Sequence, residues 1–300
     1  MSLADTWFFL QQGIVSGMVT GSVYAILALA IVMIFKTTDV PNFAQGEIFM
    51  AGGYVALYVT IVFAAGIEVA IAISLLVIMA ACALFQHVVM GRIRKSHGLP
   101  IHFVISTLGF SYLLKGLVNI SGLGDTPRSM PALISGGSIS IGQAYITALD
   151  ASIFLVAVTV MALLFLVANT TKLGKALRAV GMNTRGAQLV GISLPRMHLY
   201  VWVLSGLISA VAAILITPKL LMTPNMGTIV MLAFAAAIIG GLGSLPGAVI
   251  GGFVVGITEN LVGLFISTNA IVVAPFIAIM LVLLVRPQGL FGGQMQVKKL

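Results

Sequence analysis

Of the 300 residues, 60% are hydrophobic and 7% are charged, and mean hydropathy is +1.17; an ordinary soluble domain is about a quarter charged. A water-soluble fold of this size lacks the polar residues to cover its surface, so lipid must cover most of it. The net charge of +8 does not mark a nucleic-acid binder, because the cations sit in short clusters between apolar runs and no basic face is interleaved with aromatics.

A membrane-spanning helix needs about 20 predominantly apolar residues. In chain order, residues 14–35 qualify and end at Lys36. Residues 48–65 follow a short polar turn, and 69–90 follow Gly66-Ile67-Glu68. The cluster Arg92, Arg94, Lys95 and His97 precedes the run 101–120. Residues 121–143 are rich in Gly, Ser and Pro and too polar to span, whereas 145–168 spans again. A polar, basic segment, 169–198, leads into 199–217. The last third holds runs at 228–239, 248–266 and 270–285, the first of them short enough for a half-span. The expectation is an all-α, polytopic membrane helix bundle of eight to nine spans, in one membrane domain covering 1–300. The first apolar stretch has only Asp5 as a charge before it, so it lacks the basic start of a signal peptide and reads as a retained helix.

The positive-inside rule sets the expected orientation. With the loops at 92–97 and 169–198 cytoplasmic, alternation puts Lys36 and the tail bearing Arg286, Lys298 and Lys299 on the same side. Only Lys115, Arg128 and Lys219 of the 15 Lys and Arg then lie elsewhere. The N-terminus is expected outside and the C-terminus in the cytoplasm.

The loop 169–198 holds five bases and no acid. Leu173, Ala176, Leu177 and Val180 have the i, i+3, i+4, i+7 spacing of a helical apolar stripe, and Thr170 or Thr171 suits its N-cap. A second short helix is expected over 184–190, stopped by Gly191, with Leu194-Pro195 preventing its continuation. Two readings fit equally: short helices docking into a partner's groove, or an interfacial helix on anionic lipid.

The segment Leu173-Gly174-Lys175-Ala176-Leu177-Arg178-Ala179-Val180-Gly181, with Ala187 and Gly191-Ile192, resembles the coupling loop of ABC importer permeases. It is most similar to the branched-chain amino acid ABC transporter permease family, in its H-type (LivH-like) subunit. Pro41-Asn42-Phe43-Ala44-Gln45-Gly46-Glu47 resembles that family's N-terminal motif. Gly240-Gly241-Leu242-Gly243-Ser244-Leu245-Pro246-Gly247 resembles its glycine motif, and Arg286-Pro287-Gln288-Gly289-Leu290-Phe291 its C-terminal end. One departure is visible. The broader importer loop reads Glu-Ala-Ala, Gly, then a longer gap before Ile-x-Leu-Pro; here Arg185-Gly186-Ala187 replaces the acidic start, and Ile192-Ser193-Leu194-Pro195 follows Gly191 directly.

The resemblance implies a permease working with a second, homologous permease, two cytoplasmic ATPases and an extracytoplasmic amino-acid-binding protein. It also implies the inner membrane of a bacterium as the location. Lys175, Arg178, Ala179, Ala187, Gly191, Ile192, Leu194 and Pro195 are the residues it assigns to ATPase coupling. No Gly-x-x-x-x-Gly-Lys-Ser/Thr sequence is present, so ATP and Mg are expected on the partner ATPases, with no cofactor in this chain and no catalytic residue.

Gly13, Gly17 and Gly21 repeat every four residues, as do Gly243, Gly247 and Gly251. Such spacing leaves a groove for close helix approach, and internal helix packing is the favoured reading over a contact between permeases. Acids inside a membrane usually face a cavity or a partner. Glu47, near Asn42 and Gln45, and Glu259, beside Asn260, are therefore candidates for the translocation path, weighed against a structural hydrogen bond. Cys82 is the sole cysteine, and the four histidines show no metal-ligand spacing. The expected function is an ATP-driven import permease for leucine, isoleucine and valine working by alternating access. The alternatives are an ion-coupled secondary transporter using Glu47 or Glu259, or an ABC permease for amides or urea.

Overall fold

The computed structural model describes residues 3–131, 134, 136–141, 144–271 and 273–292. It begins with α1 (Leu3–Thr38), α2 (Gln45–Val62) and α3 (Ile67–Phe85), which runs through a π-helical turn (Gln86–Met90) into α4 (Gly91–Lys95). After α5 (Pro100–Ile120) a hairpin of β1 (Ser138–Ile141) and β2 (Ala144–Thr147) precedes α6 (Ala148–Thr170). The short α7 (Lys172–Met182) and α8 (Thr184–Leu189) lead to α9 (Leu194–Ile216), α10 (Ile229–Gly240), α11 (Leu245–Phe265) and α12 (Ala274–Val285).

Among the described residues, seven helical segments are long and apolar enough to cross a membrane, and two shorter apolar helices, Met226–Gly240 and Ala274–Val285, accompany them. The chain is an all-α polytopic membrane protein. A 12-residue helix is about 18 Å long and falls short of the ~30 Å hydrocarbon layer, so α10 and α12 do not span alone. Two local expectations shift. Helix α1 starts at Leu3 rather than near residue 14, because Gln11 and Gln12 are good helix formers and do not interrupt it. Residues 138–147 form an antiparallel hairpin, Ser138 opposite Thr147, so Tyr145 belongs to a strand and not to the following span.

The chain divides into two compact units. The first comprises residues 1–32, 132–158 and 231–300. Here α1 and α11 approach backbone to backbone. A Cβ added at Gly17 would stand 2.6 Å from Ile257 Cα, and one at Gly21 would stand 3.0 Å from the Gly252 carbonyl oxygen. Only glycine permits that approach. The Gln12 amide holds the hairpin to α1 by accepting from Tyr145 N at 2.9 Å and donating to Tyr145 O at 3.1 Å. At the far end of α10, Leu290 N and Phe291 N donate to the Ile239 and Gly240 carbonyls at 2.8 and 3.1 Å, occupying helix-end acceptors that would otherwise lack partners.

The glycine ladder expected from Gly243 onward begins later. Ser244 caps α11, its hydroxyl accepting from Gly247 N at 3.1 Å, and Pro246 stands in the first turn. Gly243 therefore lies in the preceding turn, with nothing within 4 Å of an added Cβ, and packs no helix. Gly247 faces the Gly240 carbonyl and Gly251 the Ala236 carbonyl, while Gly13 meets the Leu261 and Leu264 side chains.

The second unit comprises residues 33–131 and 159–230, with α2, α3 and α9 in mutual contact. An added Cβ at Gly52 would lie 2.7 Å from Ala210 Cα, and one at Gly206 2.6 Å from Cys82 Sγ. Ser74 Oγ donates to the Gly52 carbonyl at 2.6 Å. Phe85 stacks on Phe110 with centroids 4.2 Å apart and sits 5.3 Å from the Trp202 ring.

Candidate functional site

The basic loop folds as two short helices whose ends are set locally. The Thr171 hydroxyl accepts from Gly174 N at 3.1 Å to cap α7, and the Asn183 side chain accepts from Gly186 N at 2.9 Å to cap α8. At the far end of α8, Ile192 N reaches the Ala187 carbonyl and Gly191 N the Gln188 carbonyl, both at 3.0 Å. Gly191 has φ +84°. This is a Schellman stop, which places glycine in the left-handed region.

Each helix has a seated face and a free one. Gly174, Leu177, Val180 and Ala187 are buried, whereas Lys172, Lys175, Arg178 and Arg185 are exposed. Arg178 donates to Asn169 Oδ1 at 3.1 Å. The apolar residues of the free face are notable: Met182, Leu189 and Val190 are 79%, 89% and 76% exposed. They lie outside the seven membrane-length segments. Large aliphatic side chains exposed beyond the spans, on a segment that also carries four exposed cations, suit a partner's groove.

The seated face meets the ends of other helices in its unit. An added Cβ at Gly181 would lie 2.9 Å from Lys36 Cγ and 3.3 Å from the Lys36 carbonyl oxygen, so α7 rests on the last turn of α1. Gly174 packs directly on the Val167 and Ala168 carbonyls of α6. Leu194 is buried and Pro195 exposed at the start of α9. One turn on, His198 Nε2 sits 3.0 Å from the Thr37 carbonyl. Ala179 and Ile192 are half-buried.

The path candidates fall in both units, Asn42, Gln45 and Glu47 in the second and Glu259 and Asn260 in the first. Asn42 and Gln45 are fully buried in a polar node. Asn42 Nδ2 donates to Gln45 Oε1 at 2.9 Å, Ser205 Oγ donates to the same oxygen at 3.2 Å, and Gln45 Nε2 donates to Ser209 Oγ. Asn42 Oδ1 also accepts from Ala44 N at 3.0 Å. The node ties the start of α2 to α9. Glu47, two residues on from Gln45, is half-buried. In the other unit the Glu259 carboxyl lies beside the Tyr24 hydroxyl, and its Oε2 is buried without a hydrogen-bond partner among the described residues. Asn260 Nδ2 donates back to the Gly256 carbonyl of its own helix at 2.9 Å. Ser205, Ser209 and Tyr24 went unnoticed in the sequence; the i, i+4 spacing of the two serines in an apolar helix was the available signal.

A family described as the permease component of branched-chain amino acid transport systems matches residues 13–285. The chain belongs to that family. Similar permeases include the high-affinity branched-chain amino acid transport system permease proteins LivH of Salmonella typhimurium and Escherichia coli K12. Each is 32% identical, over 95% of this chain and 96% of the relative. BraD of Pseudomonas aeruginosa is 30% identical over 97% of this chain and 98% of its own. Among solved structures, PsaBC from Streptococcus pneumoniae in complex with Fab has a similar fold, with TM-score 0.52, 15% identity, and coverage of 93% of this chain and 92% of that one.

Proposed function

We propose that this chain is a transmembrane subunit of an ATP-driven importer of leucine, isoleucine and valine in a bacterial cytoplasmic membrane. The observation that carries the reading is its likeness, over 95% of the chain, to permeases named for branched-chain amino acid transport. The exposed Met182, Leu189 and Val190 above a seated two-helix loop support the docking role over the lipid-surface role. A helix lying on a bilayer buries its apolar face in lipid, whereas the apolar stripe of α7, centred on Leu177 and Val180, is buried against protein.

In the proposed mechanism the basic loops face the cytoplasm and two separate ATPases bind ATP and Mg. Their closure presses on α7 and α8, through Arg178, Ala179, Ala187 and Gly191 to Leu194. The load passes to Lys36 of α1, to the Val167–Ala168 carbonyls of α6 and to the first turn of α9. A second, homologous permease completes the path, and an extracytoplasmic binding protein delivers solute by alternating access. Substrate choice resides mainly in that binding protein. Partial relatives named as ribose and xylose permeases, 29% and 36% identical over 42% and 31% of this chain, fit a scaffold that does not itself fix the solute, and amides or urea remain the alternative cargo.

Glu259 is assigned to helix packing with Tyr24, and Asn42 with Gln45 to the α2–α9 node. Co-purification from native membranes, followed by uptake in reconstituted vesicles, tests the reading. An ATPase pair and a second permease in the complex, with leucine uptake that requires ATP and the binding protein, are the expected result. Uptake driven by an ion gradient with this chain alone would discard it in favour of a secondary transporter.

A further inference from the structure

A pocket in the second unit is lined by the end of α1 and the turn after it, the π-helical turn, α4, α5 and α9. π-helical turns concentrate at functional sites. This one places Gln86 and Met90 in the pocket wall. Gln86 is 3% exposed, yet its Oε1 has no hydrogen-bond partner among the described residues. A buried carbonyl oxygen left unpaired costs roughly 1–3 kcal/mol, so its persistence needs a reason. Arg94, eight residues further along the same helical stretch, also lines the pocket; it is half-buried, its guanidinium 6.0 Å from the centroid of the Phe103 ring. A ring at that distance is a weak counterpart for a desolvated cation, and among the described residues Arg94 has no carboxylate partner. Ile34, Phe103 and Trp202 supply apolar wall.

The two unmet groups are opposite in kind. The guanidinium calls for an oxyanion, which it holds in a two-pronged fork. The Gln86 oxygen calls for an N–H donor. An α-amino acid carries a carboxylate and an ammonium on one carbon, and an aliphatic one also suits the apolar wall. We propose that this pocket is a binding site for a zwitterionic aliphatic amino acid, with Arg94 on its carboxylate and Gln86 on its ammonium. The site lies at the end of the unit that carries Lys36, Arg92, Arg94 and Lys95, the side on which the imported solute would be released. As it stands the pocket has room for about one water molecule, so binding an amino acid requires its wall to open. The choice of leucine as the probe rests on the function proposed above.

The test is equilibrium binding of radiolabelled leucine to the purified complex in phosphatidylcholine nanodiscs, without nucleotide or binding protein. Arg94→Ala and Gln86→Leu should each weaken binding about tenfold or more, the range for a lost hydrogen bond to a charged group. Leucinamide, which lacks the carboxylate, and 4-methylpentanoate, which lacks the ammonium, should fail to compete. Unchanged leucine affinity in both variants overturns the proposal, as does absence of binding to the wild type. If Arg94→Ala does not assemble, Gln86→Leu decides alone. The oxyanion could also come from lipid, so native mass spectrometry with phosphatidylglycerol added forms a second arm. Lipid retention that depends on Arg94 while leucine binding does not would reassign the site to a headgroup. ATP-driven leucine uptake by the same wild-type complex separates the two levels: if uptake is absent the proposed function falls, and if uptake stands while binding ignores Arg94 and Gln86 only this site falls.

Discussion

Gly191 offers the cleanest perturbation of the loop, because its requirement is purely one of backbone conformation. It is exposed, has φ +84°, and an added Cβ would meet nothing within 4 Å. A side chain there collides with no neighbour and acts only by disfavouring the left-handed region. For an ordinary L-residue that region costs about 1–2 kcal/mol, and the β-branched Val stands at the upper end; Asn visits it readily. A cost of ~2 kcal/mol shifts the balance between the closed and frayed α8 end about thirtyfold. Gly191→Val should therefore loosen the exposed Leu189–Val190 tip, whereas Gly191→Asn should not. In vesicles carrying the assembled transporter with its binding protein, the readout is leucine taken up per ATP hydrolysed. Gly191→Val is expected to lower this ratio several-fold with the yield of assembled complex unchanged, and Gly191→Asn to match the wild type. Equal ratios in all three proteins would refute the idea that the Schellman stop holds the coupling surface in place.

The remaining predictions concern packing and buried polarity. Gly181→Leu should uncouple ATP hydrolysis from uptake by displacing α7 from α1: the Lys36 stem at 2.9 Å can yield, but its carbonyl at 3.3 Å cannot. Native coupling in that variant would remove the Lys36 contact from the transmission route. Gly17→Val, with a Cβ 2.6 Å from Ile257 Cα, should abolish the folded peak in fluorescence-detected size exclusion, while Gly243→Ala should leave it intact. Overpacking costs about 1–3 kcal/mol or more where the neighbour is backbone; a wild-type profile for Gly17→Val would contradict the close approach of α1 and α11. Ser209→Ala removes one hydroxyl from the buried node and should lower thermal stability by about 1–2 kcal/mol, and an unshifted melting profile would dismiss the node as a stabilising element. Glu259→Gln keeps an acceptor for Tyr24 and is expected to leave uptake within about fivefold, since a neutral hydrogen bond contributes only about 1 kcal/mol. A tenfold loss in assembled protein would instead put this acid on the translocation path.

What the sequence disclosed was mostly local. The Thr171 cap, the second short helix and its stop at Gly191 each depend on a few neighbouring residues, and all three stand where the pattern put them. The apolar runs were equally legible, because span length is set by bilayer thickness and not by tertiary context. The polar node was not, since Gln45 and Ser209 are separated by 164 positions and nothing along the chain pairs them. The same holds for Gly181 on Lys36. Gly243 was misplaced because a four-residue period was carried through the Ser244-Leu245-Pro246 start of α11, where a capping serine and an early proline mark the boundary. The hairpin is not visible in polarity, which shows only that residues 121–143 are too polar to span. The alternation Ser-Ile-Ser-Ile at 138–141 has the period of a strand.

The joint between α6 and α7 deserves a mechanical reading. Gly174 has no clearance above the Val167 and Ala168 carbonyls, and the Thr171 cap fixes the same corner from within. A hinge needs slack, and this bend has none. A push delivered to Met182 or Leu189 is therefore not absorbed by flexing where the loop leaves the membrane. In the proposed coupling it would arrive at α6 as torque, with the loop a stiff crank rather than a tether.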